Sequence, residues 1–66
     1  MHDSRTRIGL VEDNSLLRLA VASSLEKEAV DVVFSVGTAL GALELIGKSS
    51  IDVLIVDLHL GETING

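Results

Sequence analysis

Residues 51–60 read IDVLIVDLHL, an almost unbroken apolar run interrupted near its end by the carboxylate of Asp57. In a strand, Val53 and Ile55 would point to one side and Leu54, Val56 and Leu58 to the other, so both faces are apolar. Such a strand belongs in a parallel sheet covered by helices on each side, whereas a one-sided antiparallel strand would alternate polar with apolar residues. The question is why an acid ends the segment that looks most buried.

Two further strand-like segments precede it. RIGLVED, residues 7–13, is a short apolar run ending in two acids, and Asn14 follows as a good helix N-cap. Beyond it Leu17, Val21 and Leu25 recur every four residues, with Leu16 and Ala20 alongside, while Arg18, Glu26 and Lys27 fall elsewhere on the wheel. VDVVFSV, residues 30–36, is rich in β-branched residues and stops at Gly37. Thr38 is placed to cap a second helix that draws its apolar surface from Leu40, Leu43, Leu45 and Ile46. Gly41 and Gly47 weaken that helix by about 1 kcal/mol each relative to Ala, and Gly47 is a natural stop. The order is β-α-β-α-β, the fold class α/β. Each crossover is long enough to join parallel strands, and such crossovers are right-handed in about 98% of cases.

The 66 residues make at most one small domain, and with no cysteine there is neither thiol chemistry nor a disulfide to hold it. A charged N-terminus without a following apolar core argues against a signal peptide. No stretch approaches 18 consecutive apolar residues, so no membrane span is expected and the cytoplasm is the expected compartment. The net charge of −5 disfavours direct binding to nucleic acid or an anionic membrane. No G-x-G-x-x-G follows a strand and no G-x-x-x-x-G-K-[ST] occurs, which disfavours dinucleotide and P-loop nucleotide sites.

Open parallel sheets place function beyond the carboxyl ends of their strands, where the strand order reverses. If strands one and three are neighbours, as in a flavodoxin-like 2-1-3 order, Glu12, Asp13 and Asp57 converge there. Close carboxylates repel, and protonation of one or capture of a hard cation relieves them. An all-oxygen set favours Mg²⁺ over zinc or copper. A carboxylate beside Mg²⁺ can attack a phosphoryl group to form an aspartyl phosphate. The plainer readings are a solvated acid at a strand end for Asp57, and a favourable helix-dipole contact for Glu12 and Asp13.

LVEDN (residues 10–14), the helix starting near Asn14 and IDVLIVDLHL together resemble the receiver domain of two-component response regulators across the whole chain. The resemblance implies that Asp57 accepts a phosphoryl group from a histidine kinase or phosphotransfer protein, as a phosphoacceptor that promotes its own phosphorylation rather than a turnover enzyme. It further implies that Asp13 and Asp57 bind Mg²⁺, that Glu12 assists, and that the backbone carbonyl of His59 is another ligand. Leu60 fits the family pattern, but Gly61 stands where proline is usual and the GETING loop is about a residue longer.

A receiver has roughly 120 residues and five strands. Residues 1–66 therefore read as its N-terminal half, truncated to β-α-β-α-β, without the hydroxyl residue after strand four or the lysine after strand five. Phosphoryl signalling by these residues alone is expected to be impaired. The third strand would then be an open sheet edge, which invites self-association. The alternative to a phosphoacceptor is thus a non-catalytic interaction module that dimerises through that strand.

Overall fold

The computed structural model describes residues 5–57. Three parallel strands, β1 (Thr6–Glu12), β2 (Val30–Val36) and β3 (Val53–Asp57), are connected through two helices, α1 (Ser15–Glu26) and α2 (Ala39–Ile46). The strand order is β2-β1-β3, the flavodoxin-like 2-1-3 arrangement expected from the sequence.

Burial is greatest in the strand that lies between two others. Ile8 and Leu10 face one side of β1, Val11 the other, and all three are buried. Burying each such side chain contributes about 1.5–3 kcal/mol. Val11, Phe34 and Ala42 form a core cluster against which Val33, Val36, Leu45, Ile46 and Ile51 pack. Ala42 brings α2 to that face, which leaves the Ile8 and Leu10 face to α1.

The ladder between β1 and β2 slips by one residue: Ile8 pairs with Val32, but Gly9 pairs with Phe34, so Val33 is passed over. Bulges of this kind are rare in parallel pairs. This one lays the Phe34 ring against Gly9, where a Cβ would lie 2.8 Å from either Cε atom. Only glycine leaves room there for the Phe34 ring.

Both helices start as the sequence predicts. The Asn14 side chain accepts from the Leu17 N–H at 2.9 Å, and the Thr38 hydroxyl accepts from the Gly41 N–H at 3.0 Å. Gly47 closes α2 in a right-handed conformation, so it ends the helix without a left-handed turn. The expected packing face of α1 needs correction. Val21 and Leu25 are half-buried as anticipated, but Leu16, Leu17 and Ala20 are exposed, and Arg18 and Ala22 turn inward instead. The inner stripe is thus Arg18, Val21, Ala22 and Leu25, at i, i+3, i+4 and i+7. It is rotated toward the arginine because the guanidinium finds an acceptor at the strand end. In α2, Ala42, Leu45 and Ile46 face the sheet, whereas Leu40 and Leu43 do not.

β3 departs most from its composition. It pairs with β1 in unbroken register, from Ile8 with Val53 to Glu12 with Asp57, yet neither helix packs on it. Val53, Leu54 and Val56 are 45%, 39% and 54% exposed, and only Ile55 is half-buried. At its start Arg7 ties three segments together. The Arg7 N–H donates to Asp52 Oδ2 at 2.8 Å and the Asp52 N–H donates back to the Arg7 carbonyl at 2.7 Å. The Arg7 Nε donates to the Ser50 carbonyl, and Nη1 lies 3.6 Å from Asp31 Oδ2 at the start of β2. Among the described residues, no helix is long and apolar enough to cross a membrane.

Candidate functional site

Glu12 ends β1 and Asp57 ends β3, and the two are partners in the parallel ladder. Register alone therefore sets the two side chains next to each other at the carboxyl edge of the sheet. One residue later, in the turn to α1, comes Asp13. Glu12 is fully buried, whereas Asp13 and Asp57 are exposed. Alternation along the strand accounts for Glu12 and Asp13 starting in opposite directions. Because the chain leaves the sheet at that point, both still reach the rim, where the Asp57 and Asp13 carboxyls are close enough to act on that of Glu12.

Opposing influences act on Glu12. The Asn14 N–H donates to Glu12 Oε2 at 3.0 Å and favours the carboxylate. Burial and the neighbouring carboxyls of Asp57 and Asp13 oppose it and together prevail, so the pKa of Glu12 is raised above its ordinary value. Charge is thus crowded at this edge before any substrate arrives.

Among the described residues, no three His, Cys, Asp or Glu side chains close into a cage for a metal ion. Mg²⁺ does not need one, since it binds through one or two carboxylates and keeps several waters. An all-oxygen donor set with a carboxyl pushed up by its neighbours fits such a cation. Glu12, Asp13 and Asp57, expected together from the sequence, are brought together; His59 lies outside the described residues.

Sequence reading missed Arg18. Its Nη1 donates to the main-chain carbonyl of Glu12 at 2.9 Å, which brings a cation to the same edge as the acids. The signal was present as a charged residue on an otherwise apolar i, i+3, i+4, i+7 stripe, one helical turn after the Asn14 cap. A helical side chain leans toward the N-terminus of its helix, and here that lean carries the guanidinium back over the strand end.

No curated protein and no solved structure matches the chain. The family model described as the response regulator receiver domain matches residues 8–66. That span runs from the first buried residue of β1 through both helices and past Asp57, and the chain belongs to the response regulator receiver family, the phosphoacceptor unit of two-component signalling.

Proposed function

We propose that Asp57 is the phosphoacceptor, that Asp13 and Asp57 hold Mg²⁺, and that Glu12 assists from beneath, with the His59 carbonyl as a further ligand. The observation that carries this reading is the Glu12–Asp57 register pair with Asp13 in reach at the carboxyl edge of the sheet. Exposure of Asp57 leaves its carboxylate open to an incoming donor. An Asp57 oxygen attacks the phosphorus of a phosphohistidine on a histidine kinase or phosphotransfer protein. The P–O bond forms as the P–N bond breaks, and the imidazole nitrogen keeps the electron pair. Bound Mg²⁺ would screen the phosphoryl oxygens. Glu12, held by the Asn14 N–H, lies beneath Asp13 and Asp57, the two residues that would hold the metal. Residues 1–66 serve as the N-terminal half of a cytoplasmic receiver that contacts neither nucleic acid nor membrane, and they signal poorly without the residues of strands four and five.

Incubating the protein with a small phosphodonor and Mg²⁺ should give a single phosphoryl adduct by intact mass that is lost in Asp57→Asn. An adduct that persists in Asp57→Asn, or none in the parent protein, would overturn the assignment.

A second reading draws on the exposure of β3. An edge strand with apolar side chains on both faces, whose outer edge pairs with no other strand among the described residues, favours self-association with another copy. Sedimentation of these 66 residues at micromolar concentration should show species larger than a monomer, and a clean monomer would count against this reading.

A further inference from the structure

We infer that Arg18 is a positioning residue of the site, acting through the main chain of Glu12, and that Gly37 is the gap that admits it. This rests on the phosphoacceptor reading for its purpose but not for its geometry. Two independent observations carry it. First, Arg18 Nη1 donates to the Glu12 carbonyl at 2.9 Å, while the Arg18 N–H closes the first turn of α1 on the Asn14 carbonyl at 2.8 Å. One residue therefore grips both sides of the turn that contains Asp13. Second, Gly37, which follows β2, lies directly under the guanidinium. A Cβ at Gly37 would stand 2.8 Å from Arg18 Nη1 and 3.8 Å from the Glu12 carbonyl oxygen. A Cβ there would force the flexible end of Arg18 to shift from its present place beside the acceptor.

The physical effect is confinement of the turn between β1 and α1. Without the grip, Glu12 and Asp13 repel each other and Asp57 through the contacts that raise the Glu12 pKa, and the exposed turn is free to relax outward. A hydrogen bond from a charged donor holds more strongly than a neutral one, and here its acceptor belongs to the residue whose side chain underlies the site.

The test uses the intact natural protein with Arg18→Met, Arg18→Lys, Gly37→Ala and the Arg18→Met/Gly37→Ala double variant. Without metal, amide exchange at Asn14 reports whether its bond to the Glu12 carboxylate holds. Arg18→Met and Gly37→Ala should each speed that exchange roughly tenfold relative to the Leu10 amide in the sheet, and the double variant should be no faster than either alone. With Mg²⁺, calorimetric titration should show affinity about three- to tenfold weaker in Arg18→Met, with part of the loss recovered in Arg18→Lys, which keeps a charged donor. Unchanged Asn14 exchange in Arg18→Met, or additive effects in the double variant, would overturn the inference. Parent protein that binds no Mg²⁺ but shows the exchange pattern would refute the phosphoacceptor reading while upholding the role of Arg18 in the turn. Uniformly faster exchange throughout the sheet would show a merely structural role and would also overturn it.

Discussion

At Glu12 a backbone donor and two neighbouring carboxyls pull the same group in opposite directions. Its raised pKa means that the folded protein holds this proton more tightly than the unfolded chain does. Stability contributed here is therefore greatest at low pH and is lost as pH rises from the ordinary value of 4.5 through the raised one. In metal-free buffer, melting temperature plotted against pH should fall across that interval for the parent relative to Glu12→Gln, and the two curves should run parallel above it. Mg²⁺ should act in the reverse sense, binding more weakly as pH is lowered through the same interval, because cation and proton compete for one acidic cluster. The three acids were legible in the sequence because strand ends and strand order converge on them. Which acid is buried was not, since that depends on how the chain leaves β1 and on what covers it. Arg18 escaped notice because a charged residue on a helix is ordinarily a solvated one, and only its acceptor reveals otherwise.

Among the elements, the caps and the limits of β2 could be read directly, whereas β3 starts at Val53, two residues later than its apolar run. Asn14, Thr38 and Gly47 act locally, within a few residues, and local chemistry is what a sequence displays most openly. The slip between β1 and β2 could not be read, because it results from a fit between Gly9 and Phe34, residues 25 positions apart that meet only once the sheet forms. That fit makes a sharp prediction. Gly9→Ala should destabilise the fold by about 1–3 kcal/mol, as overpacking does in a core with no space to yield. Urea denaturation of the intact protein measures this, and adding Phe34→Leu should recover part of the loss by removing the ring that the new methyl would strike. The inner face of α1 was misjudged by one position along the wheel for a related reason. Its leucines suggested a stripe through Leu16 and Leu17, but the helix is oriented by the Arg18 bond and by packing at Val21, Ala22 and Leu25, and the exposed leucines follow from that.

For the molecule as a whole, composition predicted the topology and overestimated the coverage of one strand. The apolar character of β3 on both faces correctly signalled a parallel sheet, yet burial depends on what packs above and below, and both helices attend to β1 and β2. If the bare strand drives self-association, Val53→Lys should shift sedimentation of the 66 residues toward the monomer, since a lysine on an edge strand opposes pairing. Val53 is four residues from Asp57, so phosphoryl adduct formation in the intact protein should be unaffected. The Arg7 contacts have a mechanical consequence. They clamp β3 where it begins, to the starts of β1 and β2, while Asp57 sits at its far end with no helix of the described residues packed against the strand. Held by Arg7 where it begins and by the β1 ladder along its whole length, β3 is fixed in register while its faces carry no packed helix. A load at Asp57 therefore passes into the described sheet through β1 alone, by way of the Glu12–Asp57 pairing.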